Sequence, residues 1–220
     1  MTPLSLPRTG IGNYVRGMVA GLVEAAEGRH EIVAFAPTGP RGRRHVGASL
    51  AQIRVERRVL SLPGAYYWRA LWSRAGRPPV EAVAGKLDVF HFSDWMYPAQ
   101  RGGVRATTVH DLVPIHFPEL VHARTERLHT ANLANAVRTC DVIFTNSQFT
   151  ADDLHQRLGF APERTVVAYP GIDPRFTPEG PRTDLGAPYV LAVATLEPRK
   201  NLSALVRAFQ IVRRDRPDLV

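Results

Sequence analysis

Arg199 and Lys200 stand side by side in Glu197-Pro198-Arg199-Lys200-Asn201, a polar break between an apolar run and a helical pattern. Two cations at a strand–loop–helix junction suit a phosphate, because backbone N–H groups and the helix dipole point the same way. Lys86 and Lys200 are the only lysines among 28 basic residues, so lysine is conspicuous here. A compact ammonium fits a diphosphate, whereas arginine is a planar fork. An ordinary helix-start cation is the alternative. Near the other end, Gly10 and Gly12 precede a second helical pattern, and glycine lets a backbone approach a ligand at a helix N-terminus. A plain tight turn would also use them. His110 and Asp111 follow an apolar run, and the C-terminal ends of strands in a doubly wound sheet face the ligand crevice. Ser147 fits an N-cap. His91 lies near enough in pattern to His110 to raise a metal pair, but neither HxH nor HExxH accompanies it, so no metal site is expected.

The elements that must hold these residues follow from periodicity. Residues 31–36, 53–60, 88–92, 104–109, 141–145 and 164–169 read as strands, the third ending in His91, Ser93 and Asp94. Helical spacing covers residues 13–26, with Val15, Met18, Val19, Leu22 and Val23 inward, and residues 117–139 and 148–158. Residues 1–9 and the basic, glycine-rich residues 38–49 read as loops. Tyr66, Tyr67, Trp68 and Trp72 interleave with Arg69 and Arg74 over residues 66–75. They fit an amphipathic helix with core-filling aromatics; a membrane-facing patch is the other reading. Residues 170–188 carry proline and glycine at a density no regular element tolerates, which marks a linker. Beyond it, residues 189–194 read as a buried parallel strand, and Leu202, Leu205, Val206, Phe209 and Val212 as a helix face.

Composition bounds the classes. A 220-residue chain that is 45% hydrophobic has an ordinary globular core. One cysteine, Cys140, rules out a disulfide framework and suits a reducing cytoplasm, with packing as its role. No apolar run is long enough to span a bilayer. The net charge of +8 points to an anionic partner, yet no nucleic-acid module is present, so nucleic acid is not expected.

In order along the chain, TGIGNYVRGMVAGL, DVFHFSD, VRATTVHDLVPIHFPE, DVIFTNSQFTADDL, VVAYPGIDPRFTP and TLEPRKNLSALVRAF resemble the retaining GT-B glycosyltransferases of the large GT4 family. The resemblance covers almost the whole chain. It implies an α/β fold of GT-B type, a Rossmann-like N-terminal domain plus the first βα unit of a second one. Residues 1–170 would be the acceptor-side domain without the family's usual first strand, 171–188 the linker, and 189–220 the incomplete start of the donor-binding domain. It also implies a GDP- or UDP-linked sugar as donor substrate with no separate cofactor, a glycan or small-molecule acceptor, and retention of configuration. Mannose is suggested by similarity to TLEPRKN-type members, and a cell-envelope or secondary-metabolite glycan by the family. His110 would contact the sugar beside the reacting carbon, and Asp111 would orient that loop or the acceptor. The Gly10–Gly12 loop, Ser147, Arg199 and Lys200 would face the diphosphate. Where many members carry an additional arginine before the lysine, this chain has Thr195. The family's paired-glutamate motif would lie beyond Val220, so the chain is expected to be truncated at both ends and to transfer sugar weakly or not at all alone. A non-catalytic fragment pairing with a separate C-terminal half, and a sugar-nucleotide isomerase, stay open as other readings. The expected location is the cytoplasm, at the inner membrane face if the aromatic segment meets lipid.

Overall fold

The computed structural model describes residues 2–7, 9–93, 98–180 and 183–220; Asp94 and the linker's Pro181 lie outside them. The expected N-terminal loop instead holds a 3₁₀ turn, Thr2–Ser5, because Leu4 is buried among Val15, Val19 and Val46. Helix α1 (Gly10–Ala26) begins on Thr9, whose hydroxyl accepts from the Gly12 N–H at 3.1 Å. Val15 and Val19 are wholly buried on its inner face.

Strand β1 (Val33–Thr38) leads into α2 (Pro40–Ser49), where the sequence suggested a loop. Pro40 sits in the first turn, where its missing N–H costs nothing, and Val46 and Leu50 are fully buried. Tertiary packing of those two residues overrides the glycine and arginine content. Strand β2 (Glu56–Ser61) pairs parallel to β1, Val33 opposite Glu56. Helix α3 (Ala65–Ala75) forms as expected, but only part of its aromatic content reaches the core: Trp72 packs against the cluster of Phe35 and Val80. Trp72 packs edge-on to Phe35 at 6.2 Å, while Tyr67 and Trp68 are 77% and 56% exposed. They lie on the stripe of α3 that turns away from the sheet.

After α4 (Glu81–Ala84) come β3 (Val89–Phe92) and β4 (Val104–Val109). The expected single helix over residues 117–139 is replaced by a 3₁₀ turn, Pro118–Leu120, and α6 (Ala123–Thr139), with the short α5 (Val113–His116) before them. The cause is local: proline pushes Phe117 out of the helical region, to φ −135° and ψ 62°. Strand β5 (Val142–Thr145), α7 (Gln148–Leu158) and β6 (Thr165–Val167) complete a second parallel sheet of order β3-β4-β5-β6. Among the described residues, the first sheet contains β1 and β2 alone. Val33 and Phe35 of β1 and Phe90 and His91 of β3 line one cavity of about 700 Å³ between the sheets.

The largest core joins Phe92, Val109, Leu133, Cys140, Ile143, Leu154 and Phe160, between the second sheet and α6 and α7. Cys140 is completely buried there, and burial pushes its thiol up to about 11, so it stays protonated and inert. His116 Nε2 meets Asp153 Oδ2 at 2.5 Å and ties α5 to α7.

Residues 189–194 do not form the expected strand. Leu191 and Val193 are 72% and 88% exposed, and among the described residues no strand pairs with them. Their one extended pairing is with the chain end: the Val190 N–H donates to the Val220 carbonyl at 3.1 Å, and the Val220 N–H to the Pro188 carbonyl at 3.0 Å. Helix α8 (Leu202–Asp215) comes next, with exposed apolar residues on the face the sequence marked for burial. Nearer its start, the linker meets α1, where Asp173 is 3.8 Å from Arg16.

Candidate functional site

The C-terminal ends of β3, β4 and β5 converge on one side of the second sheet, with the start of α1 and the start of α7 beside them. Thr108 and His110 are two residues apart on an extended segment, so both side chains take the same face. The Thr108 hydroxyl is 3.3 Å from the Tyr14 hydroxyl and 3.0 Å from His91 Nε2. The Tyr14 ring meets the His110 imidazole edge-to-face, 4.8 Å between centroids and 88° between planes. From the other side, the Thr150 hydroxyl donates to the His110 carbonyl at 3.4 Å and is 2.9 Å from the Ser147 hydroxyl. Ser147 caps α7 by accepting from the Thr150 N–H at 3.1 Å. Helices α1 and α7 are therefore both tied to His110.

Asp111 is exposed, and its Oδ1 accepts from the Val113 N–H at 3.1 Å, closing the turn into α5. Burial lowers the pKa of His110, with the Asp111 charge opposing, so the imidazole is neutral at neutral pH. A neutral imidazole can donate at one nitrogen and accept at the other, which suits a sugar hydroxyl better than a phosphate. Asp111 likewise opposes the burial-driven lowering at His129 of α6.

Neither glycine of the α1 loop is required by its own backbone. A Cβ at Gly10 would meet nothing within 4 Å, and one at Gly12 would make ordinary 3.5 Å contacts with the Pro3 carbonyl and the Thr9 hydroxyl. Gly10 is exposed and Gly12 buried, both within the first turn of α1. Arg199 and Lys200 lie on a 3₁₀ turn, Pro198–Lys200, and both are exposed. Arg199 Nε donates to Glu197 Oε2 at 2.6 Å. Among the described residues, no hydrogen bond or ion pair joins either cation to His110, Asp111, Ser147 or the α1 loop. Nor do three or more His, Cys, Asp or Glu side chains gather in a metal-binding group among those residues.

A family model described as Glycosyltransferase Family 4 matches residues 8–176. The chain belongs to that family. Its members' activity, glycosyl transfer from a nucleotide-sugar donor to an acceptor, comes with that membership. The matched span of this family 4 chain contains Gly10, Gly12, His110, Asp111 and Ser147, and ends before Arg199 and Lys200. The parallel α/β sheets are of the Rossmann-like kind found in GT-B glycosyltransferases. No curated protein matches the chain by sequence. Among the described residues, no helix is long and apolar enough to cross a membrane.

Sequence reasoning overlooked Tyr14 and Thr108, and weighed His91 only as a metal ligand. A signal existed for each: Tyr14 is one turn beyond Gly10, and Thr108 shares a strand face with His110. Burial drives His91 down to about 4. The unfolded chain takes up that proton near 6.5, whereas the folded chain refuses it until about pH 4. Stability from this group is thus full above the ordinary histidine pKa and lost as pH falls toward 4. The loss is expected to reach about 3 kcal/mol. Urea unfolding measured from pH 7 down to pH 4 checks it; a slope that does not flatten in His91→Gln contradicts it.

Proposed function

We propose that this family 4 glycosyltransferase moves a hexose, with mannose the first candidate, from a GDP- or UDP-sugar to a glycan or small-molecule acceptor with retention of configuration. The observation that carries the reading is the convergence of α1, β4 and α7 on His110. In it, His110 contacts the sugar beside the anomeric carbon, and Asp111 fixes the turn that presents it. The donor diphosphate approaches the start of α1 at Gly10 and Gly12, near Ser147, and Arg199 and Lys200 neutralise it as it leaves. The acceptor oxygen bonds to the anomeric carbon on the face from which the phosphate oxygen departs. The acceptor's proton passes to that departing phosphate, through a transition state of oxocarbenium character. Catalysis then rests on positioning and charge stabilisation. Residues 1–170 serve as the acceptor side, 171–188 as linker, and 189–220 as the beginning of the donor side.

Helix α3 supports a peripheral placement at the inner face of a membrane, where the acceptor would be a cell-envelope glycan. Exposed Tyr67, Trp68 and Leu71 share a stripe with Arg74, the mixture an anionic lipid interface favours.

The test is a panel of GDP- and UDP-sugars, each labelled at the anomeric carbon and incubated with the chain and a glycan acceptor, with the product read by NMR. The expected result is binding of one nucleotide class and weak transfer from it, with the donor's anomeric configuration kept. Inverted product, or neither binding nor turnover across the panel, overturns the reading.

A further inference from the structure

Tyr14 makes two contacts that no other described residue makes together: its hydroxyl reaches Thr108 Oγ1 at 3.3 Å, and its ring lies against His110 at 4.8 Å between centroids. One end of the phenol is therefore held to β4 while its body forms a wall of the imidazole's seat. A tyrosine side chain turns about two bonds; a hydrogen bond at the tip and a packed ring leave it one orientation. The hydrogen bond is itself supported, because the Thr108 hydroxyl also lies 3.0 Å from His91 Nε2 on β3. A threonine hydroxyl has one proton to give and two lone pairs to offer, so it can serve both neighbours at once. The relay links β3, β4 and α1 across 94 residues of sequence between Tyr14 and Thr108.

We propose that Tyr14, held through Thr108 by His91, is a positioning residue that sets the orientation of the His110 imidazole. The same helix begins at Gly10 and Gly12, so the relay also fixes the distance between the α1 N-terminus and His110. The two halves of the site keep their spacing because a side chain of α1 packs onto the β4 half. The carbonyl of His110 is restrained separately, by Thr150 at 3.4 Å, so Tyr14 governs the ring and α7 governs the backbone. The inference rests on His110 as the sugar-facing group, and its test separates the two ideas.

The chain is labelled with ¹³C at histidine Cε1, and the His110 signal is assigned by its disappearance in His110→Gln. Tyr14→Phe removes only the hydroxyl, Thr108→Val removes the anchor, and Tyr14→Leu removes the ring as well. Tyr14→Leu is expected to move the His110 signal most, through loss of the ring current and of a single orientation, with Tyr14→Phe and Thr108→Val broadening it. Where transfer is measured, Tyr14→Phe is expected to lower kcat about fivefold with KM within about twofold, the size of one lost hydrogen bond felt only at the reacting centre. Tyr14→Phe keeps the ring packing, so it retains the fold even where Tyr14→Leu does not. A His110 signal indifferent to Tyr14→Phe and Thr108→Val, with kcat unchanged, overturns the proposal. If those signals respond while no sugar is transferred, the positioning relation stands and the transfer reading falls.

Discussion

His110→Ala is expected to lower the rate of sugar transfer by about two to three orders of magnitude, the loss seen when one preorganised polar group at a reacting centre is removed. The side chain is held by the Tyr14 ring, and its backbone carbonyl is hydrogen-bonded by Thr150, so its orientation is prepaid. Burial keeps it neutral at neutral pH. The sign matters for the pH profile. A lowered pKa means the neutral form persists below the ordinary histidine value, so activity that depends on it should fall on acidification only beneath that value. The check is steady-state kinetics from pH 5 to pH 8, with urea unfolding confirming that the variant is folded. A variant within about threefold of the parent would remove His110 from the chemistry.

Phe160→Ala is expected to destabilise the chain by about 3–5 kcal/mol. Phe160 is 1% exposed and is the largest side chain wholly enclosed in the second sheet's core. It packs with Cys140, Ile143 and Leu154. The Arg164 guanidinium lies 4.7 Å from its ring centroid, and its carbonyl is 3.1 Å from His155 Nδ1 of α7. Truncation to alanine leaves a void among these groups and removes the cation–π contact as well. A domain is stable by only about 5–15 kcal/mol, so the change takes a large share of the total. Chemical denaturation with matched m-values measures it. A loss under about 1 kcal/mol would mean that the site can collapse, and that this core is not what fixes the sheet beneath His110.

Some of this was written plainly in the sequence. Helix α7 starts at Gln148 and ends at Leu158, as the spacing indicated, because its Ser147 cap is a signal confined to a few residues. Strand β4 likewise spans Val104–Val109, so His110 follows directly on the strand's C-terminal end, as the apolar run indicated. Other features depended on partners far away in sequence. Helix α2 forms because Val46 and Leu50 are buried with Leu4 and α1, which overrides a composition of glycine and arginine. The apolar residues 189–194 carry the pattern of a buried strand, but an apolar pattern makes a strand only where an edge accepts its hydrogen bonds. Tyr14 and Thr108 escaped notice because nothing local ties a helix residue to a strand residue so distant. The broken helix before α6 was legible in principle: Pro118 forbids Phe117 a helical backbone.

The proposed site of sugar chemistry is the His110 end of the second sheet, within reach of the start of α1. A crystal structure of the chain soaked with the nucleotide sugar it binds best addresses that claim most directly. The expected density has the anomeric carbon in contact with the His110 imidazole and the diphosphate against Gly10 and Gly12, with Lys200 or Arg199 on its far side. Density for the nucleotide sugar elsewhere on the chain, with His110 untouched, would contradict it.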